Sequence, residues 1–173
     1  DGRPELVFID GGDLADNTPG DRVIVYANRL NPEGETTFDR VADGIPTLSG
    51  HGMGIATGDV DGDRDVDLYI SMVGRDRLLL NESTADQIQF RDGTDEFGLS
   101  KNAAWSTAVG FSDFDGDSDL DLVGLRYVDW SPDIDAAVDF RLDGIGRAYG
   151  PPTGFAGTKP FLLLNETAEG QRR

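Results

Sequence analysis

The chain has 173 residues, enough for one ordinary globular domain and too few for two comfortable ones. Its 33 acidic and 15 basic residues leave a formal net charge of −18, and such a surface repels phosphate backbones and anionic headgroups. Neither a nucleic-acid partner nor membrane insertion is expected, since no apolar run approaches the roughly 20 residues that span a bilayer. The chain has no cysteine, which excludes disulfides and thiolate metal sites.

An internal repeat organises the chain into copies at about residues 1–53, 54–107 and 108–173. In the second copy an acidic run begins at Asp59, and the same run recurs without a gap at Asp113, 54 residues later. The first copy keeps only the second half of such a run, so the chain holds about two and a half copies. The last copy carries an insert over residues 127–158.

Each full copy holds four short β-type runs separated by turn residues. In the second copy these are residues 68–71, 77–81 and 88–91, followed by residues 105–111, which lead into the next acidic run. Four strands in about 50 residues match one propeller blade, a sheet that must stack on its neighbours to bury both faces. The sequence therefore predicts an all-β fold in which residues 1–173 form a partial β-propeller domain.

One short helix is expected, inside the insert. Ser131 is suited to cap it, Pro132 suits the first helical position, and Ile134, Ala137 and Val138 share one face.

Two loops place carboxylates on alternate residues. Packing like charges so closely is costly unless a cation compensates, and hard oxygen ligands in a flexible loop suit Ca²⁺ better than Mg²⁺, which is stricter about octahedral geometry. We expect two calcium sites, bound by the first, third, fifth and ninth side chains and by the backbone carbonyl of the seventh residue. A third, partial site at Asp1 and Glu5 lacks the first half of its loop. The candidate metal ligands are Asp59, Asp61, Asp63, Asp65 and Asp67 in the first loop, and Asp113, Asp115, Asp117, Asp119 and Asp121 in the second.

Other interpretations of these loops are weaker. An EF-hand needs a bidentate Glu at position twelve, where this chain has Ile70 or Gly124. Solvated turns remain the simplest alternative, but a turn needs one or two such residues and not five on alternate positions, twice over.

At these residues the chain resembles the FG-GAP/VCBS repeat family, whose consensus runs roughly Gly-Asp-x-Asp-Gly-Asp-Gly-x-x-Asp-Leu. It is most similar to the ASPIC/UnbV-associated, cartilage-acidic-protein-like branch, through matching segments at residues 127–130, 149–151 and 162–165. The resemblance implies blades of a seven-bladed propeller of the integrin-α type. The chain departs from the family at the sixth loop position, where Arg64 and Ser118 replace glycine.

The resemblance implies an extracellular module, secreted, at the cell surface or in a periplasm, for adhesion, assembly or contact with a glycan or protein. In this reading calcium is structural and the chain is not itself an enzyme. The alternative is the propeller portion of a secreted carbohydrate-active enzyme such as a polysaccharide lyase. Against catalysis, His51 is the only histidine and lies in a glycine-rich turn, where a flexible, exposed histidine is the commoner case.

Two further expectations concern surfaces. Two and a half copies leave open sheet edges, so we expect other blades or neighbouring subunits to cover them, within a longer polypeptide or an assembly. The aromatic residues Trp105, Tyr127, Trp130 and Tyr149 suit either a sugar-stacking platform or packing between blades. Packing is favoured for Trp105, and both interpretations stay open for Trp130 and Tyr149.

Overall fold

The computed structural model describes residues 4–166 apart from residues 13, 15–17, 32, 102 and 149. Its described part is built from short antiparallel strands, which confirms the predicted all-β class. The strands are β1 (Leu6–Ile9), β2 (Val23–Leu30), β3 (Thr36–Arg40), β4 (His51–Gly58), β5 (Asp67–Arg75), β6 (Arg77–Asn81), β7 (Phe90–Asp92), β8 (Ala103–Ser112), β9 (Asp121–Arg126), β10 (Arg141–Leu142), β11 (Gly146–Arg147) and β12 (Phe161–Leu163).

The described strands form three antiparallel groups that follow the repeat copies, here called sheets I, II and III, and sheets II and III are parts of one seven-stranded sheet. Sheet I is β1-β2-β3, sheet II is β4-β5-β6-β7, and sheet III is β8-β9-β12. Sheets II and III are joined where the end of β5 pairs with the start of β8, from Val73 opposite Trp105 to Arg75 opposite Ala103. The hairpin β10-β11 stands apart in the insert.

Sheet II is buried on both faces because its strands β5 and β6 are apolar at successive positions. Side chains alternate between the two faces of a strand, so Leu68 and Ile70 face sheet I while Tyr69 faces sheet III. The cluster between sheets I and II contains Val23, Val25, Leu48, Leu68, Ile70, Met72 and Leu79. The cluster between sheets II and III contains Val60, Tyr69, Leu78, Leu80 and Leu122.

The outward faces of the two terminal sheets are apolar and exposed. On sheet I, Phe8 is 52% exposed, and a shallow pocket of about 370 Å³ is lined by Leu6, Phe8, Ile24, Tyr26 and Phe38. On sheet III, Leu125 and Leu162 are 53% and 50% exposed. Within the described ranges the sheets form an open stack, and no closed propeller is detected.

The insert contains the expected helix, α1 (Pro132–Val138). Ser131 caps it as predicted, because its Oγ accepts a hydrogen bond of 3.2 Å from the backbone N–H of Ile134. The strand expected at residues 88–91 begins instead at Phe90, since the backbone N–H of Gln89 donates to Ser83 Oγ. Among the described residues, no helix is long and apolar enough to cross a membrane.

Candidate metal centres

Each acidic loop closes a hairpin. The first joins β4 to β5 and the second joins β8 to β9, and each begins right after one strand and ends on the first residue of the next. This placement follows from the sequence, since an Asp/Gly-rich run between two apolar runs forms a turn.

The first-position carboxylates fold both loops in the same way. Asp59 accepts hydrogen bonds from the backbone N–H groups of Gly62, at 2.8 Å, and Arg64, at 3.0 Å. In the second loop Asp113 accepts from Gly116, at 2.6 Å, and Ser118, at 3.1 Å. The repeat seen in the sequence is therefore also a repeat in hydrogen bonding.

The third- and fifth-position carboxylates continue this pattern. Asp61 accepts from the backbone N–H of Asp63 at 3.3 Å, and Asp63 accepts from that of Asp65 at 2.8 Å. The second loop repeats both bonds, from Asp117 to Asp115 at 3.2 Å and from Asp119 to Asp117 at 2.9 Å. Each carboxylate thus orders the backbone two residues further on.

The ninth-position carboxylates are fully buried. Asp67 accepts from the backbone N–H groups of Val60, at 2.9 Å, and Asn81, at 2.8 Å. Asp121 accepts in the same way from Phe114, at 2.7 Å, and Asn165, at 2.8 Å. Each ninth carboxylate therefore connects its loop to an asparagine of the same sheet. Asn81 is the last residue of β6, and Asn165 lies just beyond the end of β12.

The carboxylates converge in both loops. In the first loop, carboxylate oxygens of Asp59, Asp61 and Asp67 lie within 4.8 Å of one another. In the second loop, the same holds for Asp113, Asp115 and Asp117, at the first, third and fifth positions. Taken together the two groups use positions one, three, five and nine. The remaining predicted ligands, Asp63, Asp65, Asp119 and Asp121, lie in the same loops but outside these groups.

Burial and crowding disfavour the charged carboxylates. Desolvation raises the pKa of Asp67 from 3.8 to about 6, and the charges of Asp61 and Asp63 add to this effect. Desolvation followed by the charge of Asp63 raises the pKa of Asp61, and desolvation together with the charge of Asp117 raises that of Asp115. A bound cation would oppose both effects, so the donor set fits a hard divalent ion.

Arg64 and Ser118, at the sixth loop positions, adopt a positive-φ backbone conformation, which glycine reaches most easily. Their φ angles are 78° and 77°, in the left-handed region, which costs a non-glycine residue about 1–2 kcal/mol. Both loops nevertheless keep the hydrogen bond from this residue to the first carboxylate. The third, partial site is not described as a whole, because Asp1 lies outside the described residues and only the exposed Glu5 lies within them.

The aromatic residues gather at the end of the β8-β9 hairpin that lies away from the acidic loop. The ring of Trp105 meets those of Tyr127 and Trp130 edge to face, with centroid distances of 5.5 and 5.3 Å. Trp105 and Trp130 are half-buried while Tyr127 is 47% exposed, and Tyr149 lies outside the described residues. Trp105 thus packs residues of the insert onto β8, within sheet III and its insert and not between two blades.

His51 is held in place, which differs from the flexible, exposed residue expected from its glycine-rich setting. It is half-buried at the start of β4, and its Nδ1 lies 3.0 Å from the carbonyl oxygen of Gly12. The contact comes from a distant segment, so the local sequence gives no sign of it.

Two polar groups escaped the sequence reasoning. Asp76 is fully buried and accepts from Met72 N–H at 2.8 Å, Tyr69 OH at 3.0 Å and Ser106 Oγ at 2.8 Å, which ties sheet II to sheet III. Burial raises its pKa, and hydrogen bonds from the same three groups oppose the rise. The other group is the asparagine at the end of each Leu-Leu-Leu-Asn run, which the sequence shows as a repeat without revealing its contact with the ninth carboxylate.

Comparison with protein-family models and with curated proteins finds no match for this chain. The functional assignment therefore depends on the geometry and chemistry of the two loops.

Proposed function

We propose that this chain is a calcium-binding β-propeller module in which one calcium ion at each acidic loop stabilises a blade hairpin. The observation that supports it most directly is the match between the loops. Two segments 54 residues apart share their carboxylate spacing, their backbone hydrogen bonds and a buried ninth carboxylate. Solvated turns would not require a buried acid at the same point of both loops.

The donor set favours calcium over other ions. Calcium takes about 6–8 oxygen ligands at flexible positions, and each loop offers carboxylates at positions one, three, five and nine, with a backbone carbonyl at position seven. Extracellular calcium modules bind with dissociation constants on the order of 10⁻⁴–10⁻³ M, which suits millimolar calcium outside cells. An extracellular location, secreted or at a cell surface, is part of the proposal.

The proposed role of calcium is to hold the hairpins that form the core. Asp67 and Asp121 are the first residues of β5 and β9, whose next residues, Leu68 and Leu122, are buried. An ion bound at the loop would neutralise the carboxylates and fix the register of the strands that follow. Binding and folding would then be coupled.

We further propose that each sheet is a propeller blade and that other blades or neighbouring subunits cover the two terminal faces. Sheet II supports this proposal, because it is covered on both faces by sheets of its own kind. The outward faces of sheets I and III also carry exposed apolar residues, among them Phe8 on sheet I and Leu162 on sheet III. Adhesion, assembly, or contact with a glycan or protein ligand would be the task of the completed propeller.

Calcium titration by calorimetry, paired with thermal melting in calcium and in chelator, tests the metal proposal. We expect binding of about two ions and a large rise in Tm. The double variant Asp59→Ala/Asp113→Ala should abolish both effects. The double variant Asp65→Ala/Asp119→Ala removes the same charge at the seventh positions and should bind both ions. If the wild-type chain neither binds calcium nor gains stability, the proposal is wrong.

Sedimentation of the isolated chain tests the covering of the terminal faces. Self-association that the substitution Phe8→Glu weakens, on the outward face of sheet I, is the expected result. A stable, monodisperse monomer with no affinity for further blades would contradict this part of the proposal.

A further inference from the structure

The two acidic loops are connected through Asn165, which follows β12. Its backbone N–H donates to Asp121 of the second loop at 2.8 Å, and its side-chain Nδ2 donates to the carbonyl oxygen of Val60 in the first loop at 2.9 Å. Val60 in turn donates its N–H to Asp67 at 2.9 Å. Asn165 and Val60 together therefore connect Asp121 and Asp67, the two buried ninth-position carboxylates.

The contact also positions a carboxylate of the first loop. The carbonyl group that Asn165 binds belongs to the peptide joining Val60 to Asp61, and Asp61 is a member of the first converging group. Fixing this peptide restricts where the Asp61 carboxylate can lie. Val60, Asp61 and Asn165 line one cleft of about 560 Å³ between sheets II and III.

Close packing brings the same two segments together. A Cβ atom on Gly58, which precedes the first loop, would lie 2.8 Å from Leu120 Cδ1, in the second loop, and 3.1 Å from the ring of Phe111. Val60 is buried in the same cluster as Leu122, directly after the second loop. The entry of the first loop thus rests against the exit of the second, and a shift in one requires a shift in the other.

The equivalent asparagine of the preceding repeat lacks this reach. Asn81 donates its backbone N–H to Asp67 at 2.8 Å, as Asn165 does to Asp121, but its Nδ2 donates at 3.1 Å to the carbonyl oxygen of Val66 in the same loop. The backbone N–H groups of the two asparagines therefore bind their own ninth carboxylates in the same way. The difference lies in the side chains, since that of Asn81 bonds within its own loop and that of Asn165 bonds to the other loop. This difference supplies a matched control.

We propose that Asn165 couples the two cation sites, so that an ion bound at either loop raises the affinity of the other. The inference rests on the proposed calcium function. An ion at the second loop would order Asp121 and, through it, Asn165, which then holds the Val60–Asp61 peptide in the arrangement that binds at the first loop. Coupling is reciprocal, and couplings between sites commonly amount to about 5–150-fold in affinity.

Calorimetric titration with calcium chloride measures this coupling on the whole chain. Asp113→Ala leaves the first site alone and Asp59→Ala leaves the second, which yields the two single-site association constants. The coupling factor is the overall two-ion constant of the intact chain divided by their product. We expect it to be about fivefold or more in the wild type and to fall to about one with Asn165→Ala.

Asn81→Ala is the control. It should lower the affinity of the first site while leaving the coupling factor unchanged, a pattern that a merely structural role for Asn165 would not produce. Asn165→Ala and Asn165→Ser both keep the backbone N–H that Asp121 accepts, and both remove the amide that binds Val60. Asn165→Ser is used if thermal melting shows that Asn165→Ala is unfolded.

The outcomes separate this inference from the proposed function. A coupling factor of one in the wild type, with two ions bound, overturns the inference and leaves the calcium proposal intact. A factor that is the same with and without the Asn165 side chain, or that Asn81→Ala abolishes as well, overturns the role of Asn165. Failure of calcium to bind at either loop overturns both proposals.

Discussion

The substitution Asp67→Ala tests the most distinctive feature of the loops, a fully buried carboxylate. Without calcium, two opposing effects act on the free energy of unfolding. Two buried N–H groups, of Val60 and Asn81, lose their acceptor, which costs about 1–3 kcal/mol each. The buried charge also disappears, and since the pKa is raised from 3.8 to about 6, this relieves about 3 kcal/mol at neutral pH. The net destabilisation in chelator therefore lies between about −1 and 3 kcal/mol.

Calcium changes this balance. A bound ion already offsets the buried charge, so Asp67→Ala no longer relieves a penalty, and it also weakens binding at the first site. At a calcium concentration about 100 times the dissociation constant, one site contributes about 2.7 kcal/mol to stability. We expect the destabilisation caused by Asp67→Ala to be about 2–3 kcal/mol larger in calcium than in chelator.

Urea unfolding followed by tryptophan fluorescence, with and without calcium, measures both values. Asp65→Ala is the matched control because it removes an aspartate from an exposed position outside the converging group, and its effect should be within about 0.5 kcal/mol under both conditions. If the effect of Asp67→Ala is the same in calcium and in chelator, Asp67 does not take part in binding and the proposed ligand set is wrong.

Three further predictions follow from single contacts. In calcium-free buffer, the raised pKa of Asp67 means that the folded chain binds more protons than the unfolded chain between pH 3.8 and about 6. The contribution of Asp67 to stability therefore falls by up to about 3 kcal/mol as the pH rises from 4 to 7. Urea titrations of the wild type and of Asp67→Ala over this pH range measure that contribution, and a contribution that rises with pH would contradict the prediction. Arg64→Gly should raise the unfolding free energy by about 0.5–1 kcal/mol, because it relieves the left-handed backbone, and a loss of stability would refute that reasoning. Gly124→Ala should destabilise the fold by about 1–3 kcal/mol, because the added Cβ would lie 2.1 Å from the Phe161 ring. Gly110→Ala is its control, since the added Cβ would meet only an ordinary contact, with Val123 at 3.9 Å. Equal Tm shifts for the two variants would show that the ring can move aside.

Local sequence chemistry was sufficient for several of the elements and for the placement of the loops. The predicted strand at residues 77–81 coincides with β6, and the capped start of α1 was correct. These features depend on alternation of apolar residues, on turn residues and on one capping side chain, all of which act within a few positions. The convergence of the carboxylates also follows from spacing within one loop.

Contacts between copies could not be predicted in the same way. Asn165 reaches Val60 across 105 residues, and Asp76 reaches Ser106 across 30 residues. A sequence repeat shows that two segments are alike, but it does not show how one packs against the other. Asn81 and Asn165 occupy the same position of the repeat, but the Nδ2 of Asn81 donates to Val66 of its own repeat and that of Asn165 donates to Val60 of the preceding one.

The loops concentrate unfavourable free energy at the points where the core strands begin. Buried Asp67 carries a charge that burial disfavours, and Arg64 occupies a backbone region that suits glycine. Because Asp67 opens β5, which is covered on both faces, a loop that loses its order would also release the first residues of the most buried strand. An ion that relieves this charge would therefore stabilise the stack of sheets and not only the turn.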